Sequence, residues 1–344
     1  MIEQNLNLED VIELSPYKEY DAIWGNGFVN PRTFIETTYK SISKTIKNKN
    51  ITRKKMKKTF IASVVAMALI TSAFAQDWDN IEITTTKVTD DLYMMMGEGG
   101  NLGVSIGEDG VFLIDDQYAP LTAKILTAIR ELSTDDIHFA FNTHYHGDHT
   151  GGNENLGKQG IDIVAHDNVY KRLNDEGSAK EALPIITFND KLTFHMNGMH
   201  IKTKHYHSAH TDGDSIVYFG GKNVIHMGDT FFNESYPYVD VPGGGSWSGL
   251  LMVVGDTLGN IDNQTQIIPG HGPLTNKAGL QIYYDVLMDI DSILMPLAQQ
   301  GLSLDDVKKL APLSKYDGDY GNGFMNPDTF ISIVYMNIFN NLDQ

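Results

Sequence analysis

Three imidazoles and a carboxylate fall within six positions of the stretch Asn142-Thr143-His144-Tyr145-His146-Gly147-Asp148-His149-Thr150-Gly151-Gly152. Neutral imidazole and carboxylate form a donor set for divalent transition metals, Zn2+ first among them. Such density, with an Asp interposed, reads as a ligand run rather than a chance cluster of solvated histidines. Further candidates follow at intervals: His210 in His210-Thr211-Asp212-Gly213-Asp214, Asp229 in His226-Met227-Gly228-Asp229-Thr230, and His271 in Pro269-Gly270-His271-Gly272-Pro273. The 344-residue chain has no cysteine, so thiolate ligands, disulfides and thiol nucleophiles are excluded together. Any metal must sit on His and carboxylate.

Side chains this far apart in sequence converge only if a scaffold brings them together. Short β-branched and apolar runs at 81–88, 92–96, 102–106 and 111–115, separated by Gly and Asp turns, predict an antiparallel meander. Helical spacing over 119–132 precedes a strand at 137–142 that runs straight into the His-rich turn. A strand at 161–165 and a helix at 168–173 follow, then strands at 185–188, 191–195, 199–206, 214–219, 223–227 and 266–268. Helices are expected at 247–258 and 276–299. Each ligand candidate thus lies at or just beyond a strand end, where a sheet presents its functional loops. Strand runs mixed with covering helices indicate two sheets with helices outside, in one domain.

The His-x-His-x-Asp-His run, then His-Thr, Gly-Asp-Thr and Pro-Gly-His-Gly, in that order, resemble the metallo-β-lactamase superfamily across residues 81–275. The resemblance implies an α/β (α+β) fold, an αββα sandwich of two mixed β-sheets flanked by helices, with a dinuclear metal site between the sheet edges. It implies that His144, His146 and His210 hold a first Zn2+ and that Asp148, His149 and His271 hold a second, giving two per chain. Asp229 would bridge them, as in the glyoxalase II and lactonase branches. Three protein ligands per ion leave a position for water or substrate. A bridging hydroxide oriented by Asp148, the one catalytic side chain expected, would attack a carbonyl without a Ser or Cys nucleophile. His210 is preferred to His207 because Thr-x-x-Asp follows it, as in the family.

Two departures narrow the reading. The missing Cys sets the chain apart from the β-lactamase subclass with a Cys ligand in the second site, and Asp229 stands near that place. His146 occupies the position where an iron-based, oxygen-reducing branch has Glu. The expected activity is that of an exported hydrolase opening a small cyclic amide or ester, β-lactam- or lactone-like. The alternatives are glyoxalase II-like thioester hydrolysis and metal-dependent binding without catalysis.

Around the ligands several residues have two readings. Asp115 or Asp116 either accepts a hydrogen bond from a ligand His or caps the helix near 119. Tyr93-Met94-Met95-Met96 followed by Gly97-Glu98-Gly99-Gly100-Asn101 is either a mobile rim over the site or, for the Met run, plain packing. Gly243-Gly244-Gly245-Ser246-Trp247 either lines the cleft, with Trp247 as a contact, or leads into a helix. His166 and His226 read as supporting groups, and His138, His195, His200 and His205 as surface or pocket-edge residues.

The start of the chain reads differently. From Met56, two lysines, an apolar run to about Ile70 and Ala73-Phe74-Ala75 before Gln76 make a secretory signal peptide over 56–75. The run falls short of the ~20 residues a span needs, so no stable membrane anchor is expected after cleavage, and the location is periplasmic or secreted. Upstream, residues 6–42 repeat residues 302–338 at a constant offset of 296, with about half the positions identical and no gap. Matched pieces include Tyr20-Asp21 with Tyr316-Asp317, Gly25-Asn26-Gly27-Phe28 with Gly321-Asn322-Gly323-Phe324, and Thr33-Phe34-Ile35 with Thr329-Phe330-Ile331. Residues 1–55 therefore read as a duplicated tail joined by read-through, outside the enzyme, and 76–344 as the enzyme domain with a helical tail at about 302–344. The net charge of −18 argues against a nucleic-acid surface, since basic residues cluster only near the N-terminus. The expected partner is a small-molecule substrate, and the sequence leaves the oligomeric state open.

Overall fold

The computed structural model describes residues Asp77–Leu342, so the signal peptide and the duplicated segment lie outside the described residues. The chain divides into two units, Met1–Ile81 and Glu82–Gln344. Of the first, only Asp77–Ile81 are described, with a 3-10 turn at Trp78–Asn80.

In the second unit the apolar runs become strands of two sheets. The first contains β1 (Thr84–Lys87), β2 (Leu92–Met96), β3 (Leu102–Ser105), β4 (Val111–Ile114), β5 (Ile137–Phe141), β6 (Asp162–His166) and β7 (Ile186–Phe188), in that spatial order. Pairing is antiparallel from β1 to β4 and parallel from β4 to β7. The second contains β8 (Lys191–Met196), β9 (Met199–His205), β10 (Ser215–Gly220), β11 (Val224–His226), β12 (Gln266–Ile268) and β13 (Thr275–Asn276). It is antiparallel except for the parallel β11–β12 pair.

Both sheets are mixed, as expected, and the period-2 alternation explains how they face each other. From β4, Phe112 and Ile114 point into a core shared with Phe141 of β5, Val164 of β6, Ile201 of β9, Val217 and Phe219 of β10, Val224 of β11 and Ile268 of β12. All four β4 residues are buried because a helix layer covers the other side of this mixed sheet. Helix α1 (Thr122–Leu132) buries Ile125 and Ile129. Short helices α2 (Gly147–Thr150) and α3 (Asn153–Gly157) follow the His-rich turn, and α4 (Asp167–Asp175) packs Val169 and Leu173 onto Ala165 of β6.

The second sheet is covered by α5 (Trp247–Asn260) and the long α6 (Lys277–Gln299). Leu250, Val253, Leu280, Tyr283 and Leu287 bury against Ile216, Ile225 and Ile267. Three tail helices complete this layer: α7 (Leu304–Leu310), α8 (Ser314–Tyr320) and α9 (Pro327–Asn340), the last with Pro in its first turn and Asn326 as N-cap. The order helix, sheet, sheet, helix is the αββα sandwich. Among the described residues no helix is long and apolar enough to cross a membrane.

Candidate metal centre

The ligand candidates follow the ends of β5, β9, β11 and β12. After β5, the Asn142 N–H donates to Val164 O (2.9 Å) and the Thr143 N–H to Asp115 Oδ1 (2.8 Å), which fixes the turn. His144 lies in that turn, His146 is the N-cap of α2, and Asp148 and His149 lie within its single turn. His210 lies between β9 and β10, where Asp214 accepts from the Thr211 N–H (2.8 Å) and hydroxyl (2.6 Å). Asp229 sits in a 3-10 turn (Gly228–Thr230) after β11, entered through Gly228 at φ 50°. His271 follows β12. A Cβ at Gly270 would collide with the Asp229 carboxylate, so this close approach requires glycine.

All seven predicted side chains converge, in two groups: His144, His146, His210 and Asp229, and Asp148, His149 and His271. In the first group, His146 Nδ1 lies 3.1 Å from His144 Nε2 and 2.9 Å from His210 Nε2. Asp229 Oδ2 lies 3.7 Å from His144 Nε2 and 3.4 Å from His210 Nε2. In the second, Asp148 Oδ2 lies 3.6 Å from His149 Nε2 and 3.3 Å from His271 Nε2. Asp229 reaches across, with Oδ1 3.0 Å from His149 Nε2 and Oδ2 3.4 Å from His271 Nε2.

The donor geometry fits a metal. A tetrahedral ion with bonds of about 2.0–2.1 Å places its ligand atoms about 3.3 Å apart, close to these separations. Asp148 Oδ1, both Asp229 oxygens, His149 Nε2 and His271 Nε2 are buried without a hydrogen-bond partner, an expensive arrangement unless something else binds them. Burial pushes His144 well below the usual histidine range and His210 down to about 4, which leaves the neutral imidazoles a metal requires. Burial also opposes protonation of His149 and His271. Asp229 and Asp148 outweigh it, with Asp115 adding to their effect on His149, and the result is a strongly raised His149 and a His271 at about 9. Burial raises Asp229, but His149, His271 and His144 outweigh it and hold the carboxyl well below its ordinary range. The two buried carboxylates call for positive charge at the centre.

The supporting residues settle most of the open readings. Asp115, at φ 58°, turns its carboxylate inward and accepts from His149 Nδ1 (2.8 Å) and the Thr143 hydroxyl (2.8 Å). Asp116 instead accepts the Gly152 N–H (2.8 Å), and neither Asp caps the helix after 119. His226 lies behind the Asp229 turn, accepting the Gly228 N–H and donating to Asn101 O (3.0 Å). His166 caps α4, and His195 and His200 pair on the exposed β8–β9 hairpin. Met94 and Met95 are buried packing. Trp247 is also buried, donating from Nε1 to Asp291 (2.9 Å), and opens the helix that Ser246 caps.

Sequence reasoning missed Asp240 and the aromatic groups around the ligands. Asp240 accepts from His146 Nε2 at 3.0 Å. Tyr145 and Tyr238 lie against His146, and Phe232 stacks on His271 with ring centroids 5.1 Å apart.

With these ligands at the strand ends of an αββα sandwich, residues 98–274 match the model of the metallo-beta-lactamase superfamily, and the chain belongs to that superfamily. It is 27% identical over 139 residues to a probable hydroxyacylglutathione hydrolase of Schizosaccharomyces pombe, covering 40% of this chain and 48% of that protein. The chain thus spans about half the length of this curated relative. Among solved structures, the DIM-1 metallo-beta-lactamase superposes with a TM-score of 0.54 at 18% identity, over 61% of this chain and 100% of that one. A metallo-beta-lactamase from Pontibacter korlensis gives 0.53 at 17% identity, over 60% and 99%. These two likenesses concern the fold.

Proposed function

We propose that the chain is an exported hydrolase that holds two zinc ions and opens a small cyclic amide or ester, β-lactam- or lactone-like. The observation that carries this reading is the pair of ligand groups joined through Asp229, with orphaned donor atoms aimed inward from both. His144, His146 and His210 would hold one ion, Asp148, His149 and His271 the other, and Asp229 both. Bound there, zinc supplies Lewis acidity that makes water a nucleophile near neutral pH and polarises a carbonyl.

The protein's own part is orientation and proton handling. Asp148 Oδ1 is buried and unpartnered, so it can accept a hydrogen bond from the attacking water and hold the proton the water loses. Asp115 keeps the His149 proton on Nδ1 and leaves Nε2 as the donor atom to the centre. The His271 side chain is 26% exposed while its fellow ligands are nearly sealed, so substrate approaches from its side. Export rests on the signal-like segment 56–75.

A second reading, thioester hydrolysis, is favoured by the Schizosaccharomyces pombe relative, a probable hydroxyacylglutathione hydrolase. One panel separates the two: nitrocefin, homoserine lactones, aryl esters and lactoylglutathione, each with and without chelator. Turnover of a lactone or β-lactam that the chelator abolishes and zinc restores supports the first reading. Turnover confined to the thioester replaces it with the second. Chelator-insensitive turnover, or none on any substrate, overturns both.

A further inference from the structure

Four of the five clustered imidazoles are held from behind by a hydrogen bond from the ring nitrogen that faces away from the centre. His144 Nδ1 meets the Thr143 hydroxyl (3.1 Å), His149 Nδ1 meets Asp115, and His210 Nδ1 meets Tyr238 O (2.7 Å). His146 is turned the other way. Its Nδ1 faces His144 and His210, and its Nε2 faces outward to Asp240. Its ring must therefore carry the proton on Nε2 and the lone pair on Nδ1, and Asp240 is placed to enforce that.

Asp240 is itself tightly held. Its backbone N–H donates to His210 O (2.9 Å), tying it to a second ligand. Its carboxylate accepts from the Gly243 N–H (3.0 Å) and, in a short hydrogen bond, from the Tyr145 hydroxyl. The Tyr145 ring is pinned in turn by the Arg172 guanidinium, 5.0 Å from its centroid, and Arg172 grips Asp212 through two 2.7 Å hydrogen bonds. Asp212 donates its N–H to Gly243 O (3.0 Å), which closes the loop of contacts. Tyr145 thus lies between two histidines in sequence; its ring packs against His146, and its hydroxyl meets that histidine's outer nitrogen through a carboxylate 95 positions away.

We propose that Tyr145 is a positioning residue for His146. Its hydroxyl holds the Asp240 carboxylate where Asp240 fixes the His146 proton on Nε2 and aims Nδ1 at the metal group formed with His144, His210 and Asp229. The proposal rests on the metal-binding reading above and extends it to two residues that touch no ligand atom of the centre. Loss of the hydroxyl frees one side of the carboxylate, which can then rotate, and the His146 ring follows. Supporting partners of metal-bound histidines are worth about 10- to 100-fold in metal affinity.

The test is a set of three variants of the full chain, Tyr145→Phe, Asp240→Asn and the double variant, titrated with Zn2+ against a chromophoric chelator and with Co2+ by visible absorption. Tyr145→Phe keeps the ring under Arg172 and is expected to weaken zinc binding about 10-fold, with Asp240→Asn at about 10- to 100-fold. Both should alter the cobalt ligand-field bands. Because Tyr145 acts through Asp240, the double variant should be no weaker than Asp240→Asn alone. Additive losses, or wild-type affinity and cobalt bands in Tyr145→Phe, overturn the proposal. A purely structural role would lower the melting temperature while leaving the bands unchanged. Should Asp240→Asn fail to fold, Tyr145→Phe decides by itself. A wild-type chain that takes up neither metal overturns the hydrolase reading together with this one, whereas strong wild-type uptake left intact in the variants overturns this one alone.

Discussion

Asp229 spans both ligand groups, so its charge has more consequences than that of any other side chain at the centre. Each of its oxygens is buried and without a hydrogen-bond partner, and four histidine nitrogens lie within 3.7 Å of one or the other. Asp229→Asn preserves the size and removes the charge. Repulsion between two bound cations would then be less compensated, and one of the two ions should be lost before the other. The expected result is zinc content falling from near two per chain toward one, with the acid limb of the pH–rate profile moving to higher pH, measured by elemental analysis and steady-state kinetics. Wild-type zinc content and rate in Asp229→Asn would show that Asp229 binds neither ion. Replacement by Cys offers a soft thiolate to one ion only, so Asp229→Cys should keep some zinc while losing the wild-type hydrolysis.

Elements from opposite sheets are linked by a second pair of rings. His166 ends β6 and His205 ends β9, and their imidazoles stack with centroids 3.6 Å apart and planes 11° from parallel. Burial, and then the charge of its neighbour, pushes His205 down to about 4, and burial also lowers His166. The folded state therefore favours neutral rings, while the unfolded chain titrates near the ordinary 6.5. Stability from this pair is complete above about pH 6.5 and is lost as pH falls toward 4. A His205→Gln variant should accordingly melt below wild type at pH 7.5, with the gap narrowing steadily down to pH 4.5. A gap independent of pH would show that the stacking contributes packing alone. The strands that carry these rings were legible in the sequence because β-branched runs bounded by Gly and Asp have few alternatives to extended structure. Helices α2 and α3 were not, being single turns of four and five residues, too short to show a helical period, that follow the turn held at the β5 end by the Asp115 carboxylate. Nor was α8, whose Asp317-Gly318-Asp319 reads as a loop until Tyr236 donates to Asp317 (2.9 Å). The seven ligand candidates were visible because ligand chemistry restricts residue type, whereas Asp240 looks like any turn Asp and its partner His146 lies 94 positions earlier.

At the scale of the whole molecule the tail explains the odd repeat at the start of the chain. Val307, Phe330, Ile331, Tyr335 and Ile338 are buried in the core formed with α5 and α6, and Val11, Phe34, Ile35, Tyr39 and Ile42 reproduce them at the offset of 296. Tyr20 and Asp21 likewise reproduce Tyr316, which donates to Asp289 (2.8 Å), and Asp317. Identity between the copies thus includes the side chains that dock the tail, as a second copy of the same tail would require. The site on α5 and α6 is filled by the C-terminal copy. Five large apolar side chains at about 1.5–3 kcal/mol each contribute roughly 10 kcal/mol, comparable to the net stability of a typical domain. Deleting residues 1–55 should therefore leave melting temperature, zinc uptake and turnover unchanged. Deleting residues 302–344 should expose the α5 and α6 faces and give aggregated protein, read by size-exclusion chromatography and thermal melting. An insoluble product from the first deletion, or a folded, fully stable one from the second, would show that the N-terminal copy, and not the C-terminal one, completes the helix layer.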